Sequence, residues 1–276
     1  MLFAEKEVTM VRIAVAGAAG RMGSRITALS REYDGLQLAG AFERKGHKDA
    51  GKDIGIITGI GDTGVKLADS PEAVIDNVDL LISFTTVGAS LEHLRLASSK
   101  GKAMVIGTTG FTKDDLKEVA ELTKKVPCVM ASNMSMGVNL LLKVLQDIAR
   151  VLGDGYDVEI VEAHHRMKKD APSGTALKMA QVIADAMNRN LDDVAVYARK
   201  GIIGERKPKE IGIQTIRAGD IVGEHTVMFG GLGERIEVVH KVSSRDTFAR
   251  GALRAALWVY GKPAGLYDMQ DVLGLK

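Results

Sequence analysis

The sequence predicts an α/β protein with a doubly wound parallel sheet, followed by a second, α+β domain with a mixed or antiparallel sheet. Three observations lead to this fold class. Strand and helix patterns alternate in the first half, a glycine-rich turn follows the first strand, and several strands in the second half have no helices between them. At roughly 150 residues per domain, a chain of 276 residues has room for about two domains.

Short apolar or β-branched runs alternate with helical patterns in the first half of the chain. The predicted strands are Val11–Ala16, Leu36–Phe42, Asp79–Phe84, Ala103–Ile106 and Val126–Ala131. The predicted helices are Arg21–Arg31, Ala89–Ser99 and Asp114–Lys124, with Thr112 as the N-cap of the last one. Alternation of this kind indicates βαβ units, which place the strands in one parallel sheet.

The second half begins with a strongly apolar helix and then becomes rich in strands. The predicted helices are Val138–Leu152, Ala176–Met187 and Phe248–Tyr260, and the predicted strands are Asp157–Ala163, Ile211–Arg217, Glu224–Phe229 and Arg235–His240. Residues 199–212, rich in Lys, Arg and Gly, are predicted to form a mobile loop. We expect the last helix to return to the first domain, which then comprises residues 1–134 and 245–276, with the second domain at 135–244.

Composition and charge exclude several classes of protein. The 37 basic and 35 acidic side chains are too balanced for a nucleic-acid binder, and no apolar run approaches the roughly 18 residues of a membrane span. The first ten residues lack the basic flank and apolar run of a signal peptide, and residues 1–9 are expected to be a short extension. The single cysteine, Cys128, forms no internal disulfide, which favours a reducing cytoplasm.

A glycine-rich turn lies between the first predicted strand and the first predicted helix. It consists of Gly17, Ala18, Ala19, Gly20, Arg21, Met22 and Gly23, a GxxGxxG variant of the commoner GxGxxG. Small residues here permit a tight turn, close approach of the backbone to a pyrophosphate, and packing of the helix on its strand. The first domain is therefore predicted to be a Rossmann-like dinucleotide-binding domain. A purely structural turn is the alternative.

An acidic and a basic residue follow the second predicted strand. Glu43 comes 20 residues after Gly23 and is placed to accept hydrogen bonds from a ribose 2′-hydroxyl. Arg44 is its neighbour, and a guanidinium pairs well with a 2′-phosphate. We therefore predict that NADH and NADPH both bind, with a solvated surface pair as the alternative. Arg21 is a candidate phosphate ligand, or else a surface arginine.

Further loops end other strands of the same predicted sheet. Ligands of open α/β sheets bind outside the carboxyl ends of the strands. The predicted cofactor contacts in these loops are Phe84, Gly107, Thr108, Thr109, Ala131, Ser132, Asn133 and Met134. Each loop taken alone is equally consistent with a turn.

The densest group of chemically active residues lies between residues 162 and 175. His164 and His165 end a predicted strand, Lys168 follows, and Ser173, Gly174 and Thr175 lead into a helix. The N–H groups of a helix start bind anions, and histidine titrates near neutral pH, so these residues predict a site for a small carboxylate with a histidine proton donor.

Other interpretations of this group are weaker. Adjacent strand residues point to opposite faces, so the two histidines are expected to differ in role, and a structural role for either is the alternative. No metal site is predicted, because neighbouring histidines rarely converge on one ion. No GxSxG motif supports a serine hydrolase.

With both motifs in view, nearly the whole chain resembles the 4-hydroxy-tetrahydrodipicolinate reductase (dihydrodipicolinate reductase) family of diaminopimelate and lysine biosynthesis. The similar segments are Val15–Gly23, Gly107–Phe111, Asn133–Asn139, Glu162–Thr175, His240–Ala252 and Gly265–Met269. The run from His164 to Thr175 is far more specific than the glycine turn. Two positions depart from the family: Thr86 replaces a common basic residue, and Met134 replaces a common Phe.

The resemblance implies an NAD(P)H-dependent reductase of a cyclic imine dicarboxylate. His164 would donate the proton with Lys168 as its catalytic partner, and His165, Ser173, Gly174 and Thr175 would hold the substrate. The second domain would bind substrate and assemble a homotetramer. The rivals are another NAD(P)-dependent dehydrogenase of an amino-acid-derived acid, such as aspartate or homoserine dehydrogenase, and a non-catalytic NAD(P)-sensing protein.

Overall fold

A computed structural model describes residues 10–276, so the predicted extension at residues 1–9 lies outside the described residues. The chain forms two compact units. Unit 1 comprises the described residues up to Met136 together with Asp246–Lys276, and unit 2 comprises Gly137–Arg245. Among residues 10–276, no helix is long and apolar enough to cross a membrane.

The elements occur in the following order along the chain. The strands are β1 Val11–Ala16, β2 Leu36–Phe42, β3 Leu67–Ala68, β4 Leu80–Ser83, β5 Ala103–Ile106, β6 Pro127–Met130, β7 Asp157–His164, β8 Ala195–Val196, β9 Ile211–Arg217, β10 Gly223–Gly230, β11 Arg235–Val242 and β12 Gly265–Tyr267. The α-helices are α1 Arg21–Ser30, α2 Ile54–Thr58, α3 Glu72–Ile75, α4 Val87–Ser99, α5 Lys113–Leu122, α6 Met136–Leu152, α7 Gly174–Ala186, α8 Leu191–Val194, α9 Asp246–Val259 and α10 Met269–Leu273.

Unit 1 is built on a seven-stranded sheet with the order β12-β6-β5-β4-β1-β2-β3. All of its neighbouring strands are parallel, which confirms the predicted Rossmann-like fold. Its apolar strands are buried on both faces: Ile13 and Val15 pack into one core, and Ala14 and Ala16 into another. Buried parallel strands of this kind read as continuous apolar runs, which is why the sequence identified them.

The last part of the chain, Asp246–Lys276, belongs to unit 1. Helix α9 contributes Leu253 and other residues to the core of this unit. A bidentate ion pair between Arg25 and Asp246 anchors the start of α9 to α1, with nitrogen–oxygen distances of 2.7 and 2.6 Å. Gly251 allows close packing, because a Cβ there would overlap the carbonyl oxygen of Met134. Strand β12 then joins the edge of the sheet beside β6.

Unit 2 contains a five-stranded sheet with the order β11-β10-β7-β9-β8. Strand β10 is antiparallel to β7 and β11, whereas β7–β9 and β8–β9 are parallel, so the predicted mixed sheet is confirmed. Apolar residues of α6 and α7, such as Leu145 and Ile183, pack against strand residues such as Ile160 and Val227. One face of the sheet is therefore covered by the two helices.

The structure differs from the predicted elements mainly where polar or short segments are involved. Helices α4, α6 and α7 each begin two residues before the predicted start. One of the two added residues is a glycine in each helix (Gly88, Gly137 and Gly174), which adds nothing to an apolar periodicity. Several short elements were not predicted, because they are too short to show a period: β3, β8, β12, α2, α3, α8 and α10. The predicted loop at 199–212 overran β9 by two residues, and Arg199 and Arg206 of this loop are bound to Glu159.

Candidate active site

The glycine-rich turn of unit 1 has the geometry of a phosphate cradle. Gly17 has a φ of +64°, which favours glycine, and its N–H donates to the Phe42 carbonyl at 2.9 Å. Gly20 is the N-cap of α1 and makes no side-chain capping hydrogen bond. A Cβ at Gly23 would overlap the Gly17 carbonyl, so only glycine lets α1 pack this closely on the turn. No side chain caps the start of α1, and the turn before it is tightly folded. The N–H groups in the first turn of α1 therefore form a site that fits a pyrophosphate.

Glu43 lies at the edge of this turn, immediately after β2. Its Oε1 accepts a hydrogen bond from the N–H of Ala19 at 3.2 Å. The carboxylate is thereby held where the second strand ends beside the first, as binding of an adenosine ribose requires. Arg21 and Arg44 are exposed, and Ala18 is buried beneath the turn.

The loops after β4 and β5 are held together. Phe84 packs against Gly107, where a Cβ would overlap the aromatic ring, and the N–H of Thr85 donates to Thr108 Oγ1 at 3.0 Å. Ser90 Oγ lies 2.7 Å from Thr108 Oγ1 and 3.2 Å from Ser83 Oγ. Sequence reasoning missed this group of buried hydroxyls, because serine and threonine show no pattern until the loops are brought together.

His93 ends the same hydroxyl network. Its Nδ1 lies 3.2 Å from Ser83 Oγ, and its ring packs edge-on against Phe42. Burial lowers the pKa of His93 to about 4, so the imidazole is neutral at physiological pH.

The remaining predicted cofactor residues lie at the same edge of the sheet, with Met22 in the first turn of α1 and the others on loops. Thr109 and Ser132 are exposed, whereas Met22, Ala131 and Asn133 are half-buried. Ala131 and Ser132 also line a cleft at the ends of β6 and β12, together with Tyr267. Met134 is only 1% exposed and belongs to the core of unit 1, so its side chain presents almost no surface to a ligand.

The site of unit 2 is built on a row of side chains across four strands. In register, Thr215 of β9, Glu162 of β7, His225 of β10 and His240 of β11 lie side by side. His164 is two residues beyond Glu162 on β7 and therefore points to the same face of the sheet. Further along the strands, helices α6 and α7 cover this same face of the sheet.

Glu162 is fully buried at the centre of this row. Its Oε2 lies 2.6 Å from His164 Nδ1, and Arg217 donates two hydrogen bonds to the two carboxylate oxygens, each at 2.9 Å. Oε1 also accepts from the N–H of Ser173 at 3.0 Å and from Thr215 Oγ1 at 3.1 Å. Burial by itself would raise the pKa of Glu162, but the hydrogen bonds from Arg217, His164 and Ser173 outweigh it, so the pKa lies below its ordinary value.

His164 is consequently held in one tautomer. An ionised carboxylate only accepts hydrogen bonds, so Nδ1 of His164 carries the proton that faces Glu162, and Nε2 is the nitrogen that titrates. Burial lowers the pKa of His164; Glu162 opposes this effect, whereas the positive charges of Lys168 and Arg217 add to it. A Cβ at Gly223 would lie 3.1 Å from His164 Nε2, so glycine at this position leaves space beside the titrating nitrogen.

Two further histidines complete the row and were not selected from the sequence. The rings of His225 and His164 meet edge-on with centroids 5.3 Å apart, and those of His225 and His240 lie 6.3 Å apart. Burial lowers the pKa of His225 to about 4. The alternation of β10 and β11 could have shown which face of the sheet these two histidines lie on. It could not have shown which strands pair with one another.

Helix α7 begins beside this row. Ser173 is its N-cap, accepting a hydrogen bond from the N–H of Ala176 at 3.1 Å, and Ser173 Oγ also lies 3.2 Å from His225 Nε2. Ser173 is only 2% exposed, and its hydroxyl and its N–H are both hydrogen-bonded within the protein. Its role in the structure is therefore that of a helix cap. Gly174 and Thr175 form the first turn of the helix, the end at which the helix dipole attracts anions.

Lys168 and His165 lie on the turn between β7 and α7. Lys168 Nζ contacts both oxygens of Asp170, at 2.7 and 2.8 Å. The backbone N–H of Lys168 donates to the His165 carbonyl at 3.1 Å. His165 is the first residue after β7, so the alternation of the strand does not extend to it. Among residues 10–276, no group of three or more His, Cys, Asp and Glu side chains is arranged to hold a metal ion.

Comparison with protein families accounts for both units. The family models described as "Dihydrodipicolinate reductase, N-terminus" and "Dihydrodipicolinate reductase, C-terminus" match residues 11–134 and 137–273. The chain belongs to the dihydrodipicolinate reductase family. The resemblance found in the sequence is therefore confirmed.

Individual relatives agree with this family over their full length. The chain is 63% identical over 267 residues to the 4-hydroxy-tetrahydrodipicolinate reductase of Syntrophobacter fumaroxidans, a match covering 97% of this chain and 100% of the relative. The enzyme of the same name from Geotalea daltonii is 55% identical with the same coverage.

Solved structures are similar as well. A dipicolinate-bound dihydrodipicolinate reductase from Paenisporosarcina sp. TG-14 is 26% identical, with a TM-score of 0.74 and coverage of 95% of this chain and 98% of that one. An amine dehydrogenase from Mycobacterium smegmatis, at 14% identity, 93% and 94% coverage and a TM-score of 0.57, shares the fold alone.

Proposed function

We propose that this protein is an NAD(P)H-dependent 4-hydroxy-tetrahydrodipicolinate reductase of diaminopimelate and lysine biosynthesis. The observation that carries the proposal is the site of unit 2, where His164 is bound to the buried Glu162 beside the start of α7. A positioned histidine next to an anion-binding helix start fits protonation of a small dicarboxylate. Membership of the reductase family supplies the substrate class.

The reaction needs one hydride and one proton. Loss of water from the substrate gives a cyclic, conjugated imine dicarboxylate, and bound NADH or NADPH supplies a hydride to its C4. His164 gives its Nε2 proton to the resulting enamine, which completes the reduction. The proton is then replaced from solvent, so neither a metal nor a further redox group takes part in this scheme.

The residues of unit 2 hold the substrate dianion. Lys168 exchanges the carboxylate of Asp170 for one of the substrate carboxylates, since both offer the same paired oxygens. The first-turn N–H groups at Gly174 and Thr175 bind a carboxylate, and Ser173 keeps that helix start in place. His165 lies beside Lys168 on the same turn and is assigned to substrate binding. Orientation and charge stabilisation together lower the barrier.

The residues of unit 1 hold the cofactor. The turn at residues 17–22 binds the pyrophosphate, Glu43 binds the adenosine ribose of either cofactor, and Arg44 binds the 2′-phosphate of NADPH. The nicotinamide end is assigned to the loops that carry Phe84, Gly107, Thr108, Thr109, Ala131, Ser132, Asn133 and Met134. For Met134 the contact would come from the backbone, because its side chain is in the core.

We also assign the protein to the cytoplasm and to a homotetramer that forms through the sheet of unit 2. The face of this sheet opposite the helices carries apolar side chains, of which Ile216 is 46% and Val239 is 50% exposed. These exposed apolar side chains support pairing of this face with another copy. Light scattering on the purified protein checks the assembly: a tetrameric mass is expected, and Val239→Lys should yield a smaller species.

The enzyme assay separates the proposed activity from its rivals. Purified protein is mixed with NADPH or NADH and the condensation product of pyruvate and aspartate semialdehyde, and absorbance of the reduced cofactor is followed. Oxidation that depends on this product is expected. Oxidation with oxaloacetate and ammonia, or with aspartate semialdehyde alone, would instead favour aspartate or homoserine dehydrogenase, and tight cofactor binding without turnover would favour a sensor.

A further inference from the structure

We propose that Glu162 and Arg217 form a positioning pair for the reaction, in which Glu162 orients His164 and couples it to the start of α7, while Arg217 moderates the charge that Glu162 exerts on the imidazole. This inference rests on the proposed function and assigns positioning roles to two residues outside the proposed substrate and cofactor contacts.

Orientation comes from the hydrogen bond between His164 Nδ1 and Glu162 Oε2, at 2.6 Å. It fixes the plane of the imidazole and leaves Nε2 as the nitrogen that releases the proton. An imidazole without this partner would exchange tautomers and rotate about its side-chain bonds. In a fraction of the molecules Nε2 would then face away from the substrate, and the neutral ring would have no fixed tautomer.

Coupling comes from the other carboxylate oxygen of Glu162. Oε1 accepts the N–H of Ser173, the N-cap of α7, at 3.0 Å. A single buried carboxylate therefore ties together the proton donor and the helix start that binds the substrate anion. The distance between these two groups is set by one side chain with no exposed surface, so neither can shift alone.

Arg217 occupies the remaining positions on the carboxylate. Its two terminal nitrogens each donate to Glu162 at 2.9 Å, and the same nitrogens reach the carbonyls of Ile216 and Asp170, both at 2.7 Å. Five donors in total meet on Glu162, counting those from His164, Ser173 and Thr215. The positive charge of the guanidinium offsets the effect of the Glu162 carboxylate on His164.

The charged and titratable groups around His164 come from every adjacent element. They are Glu162 on β7, Arg217 on β9, His225 on β10 and Lys168 with its partner Asp170 on the turn before α7, with His240 on β11 behind His225. Glu162 raises the pKa of His164, whereas Arg217 and Lys168 lower it. Removal of the charge of Glu162 and removal of the charge of Arg217 must therefore shift the titration of His164 in opposite directions.

This opposition distinguishes positioning from mere structural support. If the pair only held the fold together, either substitution would lower stability and the amount of folded protein. In the folded molecules, His164 would still titrate at the same pH as in wild type.

The matched control lies on the same strand. Glu159 is also a β7 carboxylate bound by two arginines, Arg199 and Arg206, but it points to the opposite face of the sheet. Glu159→Gln removes a carboxylate–arginine pair without touching His164.

The experiment uses the full-length protein and two readouts. Imidazole nitrogen-15 NMR follows the titration of His164 without substrate, with His164→Gln identifying its signals. The pH profile of kcat/KM is then measured for wild type, Glu162→Gln, Arg217→Met and Glu159→Gln. Arg217→Lys and Glu162→Asp serve where a first variant does not fold.

In Glu162→Gln we expect His164 to titrate at lower pH, a mixture of tautomers, and a kcat reduced by about tenfold or more, a part of the 10²–10⁴ that a general acid contributes. Arg217→Met should move both the titration and the descending limb of the profile to higher pH, with Arg217→Lys in between. Glu159→Gln should match wild type.

Shifts of the same sign in Glu162→Gln and Arg217→Met, or unchanged titrations in both, would overturn the inference. Loss of the proposed function looks different: wild type itself would not turn over the substrate, while the NMR titrations would still report on the pair.

Discussion

The candidate sites of the two units are built from different parts of the polypeptide. The cradle of unit 1 is made of backbone, with a left-handed glycine at Gly17, an uncapped helix start at Gly20 and a glycine at 23 where no Cβ fits. The site of unit 2 is made of side chains, with Glu162 joined to His164 and Arg217. Only steric bulk blocks backbone N–H donors. A network of charged side chains, by contrast, loses its hydrogen bonds when one charged residue is substituted.

This difference teaches where each site is vulnerable. A cradle of N–H groups tolerates most substitutions that leave its shape intact, since the donors belong to every residue type except proline. The network of unit 2 depends on particular charges, because a buried carboxylate without its partners is costly.

The largest effect is expected at His164, the proposed proton donor. His164→Gln should lower kcat by about 10²–10⁴-fold, the usual contribution of a general acid. The affinity for NADH, measured by fluorescence titration, should stay at the wild-type value because the cradle lies in unit 1. Turnover near the wild-type rate would assign the acid to another residue, while a large loss of NADH affinity would break the separation of the two sites.

Steric bulk in the cradle is expected to give the converse result. Gly23→Ala places a Cβ against the Gly17 carbonyl, so the turn must shift, at a cost of about 1–3 kcal/mol in the free energy of unfolding. NADH affinity should fall by about tenfold or more, since the pyrophosphate donors move with the turn. The titration of His164 serves as the internal control and should not change; unaltered NADH affinity would contradict the assigned cradle.

A smaller and more selective effect is expected at the end of β2. Arg44→Ala should weaken NADPH by about tenfold, as expected for loss of a charge-assisted hydrogen bond, and leave NADH unchanged. Arg21→Ala is the comparison, because a contact to the pyrophosphate would weaken both cofactors equally. The ratio of the two dissociation constants decides: an Arg44→Ala ratio equal to that of wild type removes the 2′-phosphate role.

A further effect concerns acid stability, and it again compares the units. His93 in unit 1 and His225 in unit 2 both have a pKa of about 4 when folded, lowered by burial from 6.5. Each unfolded imidazole binds a proton before the folded one does, so the stability contribution is complete above about pH 6.5 and is lost as the pH falls towards 4. At pH 5 each should account for about 2 kcal/mol of lost stability.

Denaturation followed through Trp258, the single tryptophan and a residue of unit 1, tests this sign. His93→Gln should flatten the decline of unfolding free energy between pH 7 and pH 5, and His225→Gln should leave the signal of unit 1 unaffected. A decline as steep in His93→Gln as in wild type would show that His93 does not titrate as described.

Local patterns were enough to predict most of the framework. The bounds of β1, β2, β5 and β9 coincide with the predicted strands, and the capping box at Thr112 begins α5 where a cap was expected. Apolar runs, capping residues and glycine spacing act within a few neighbouring residues, so the sequence displays them directly. The cofactor class, NADH or NADPH, followed from the same kind of local evidence.

Glu162 shows the boundary between the two kinds of information. It was part of the quoted motif, and its position two residues before His164 on one strand was a usable signal that it shares a face with the imidazole. Its partner Arg217 comes from β9, which is 55 residues away along the chain and adjacent only through strand order.

The amino-acid sequence by itself therefore determined the fold class, the glycine cradle and the His164–Thr175 motif. Only the tertiary structure decided that Arg217, His225 and His240 join Glu162, that Ser173 is a buried cap, and that Met134 belongs to a core. The physical reason is that strand order and register are set by the packing of whole faces of the sheet. No short stretch of sequence carries that information, whereas backbone conformation and capping depend on neighbours a few residues away.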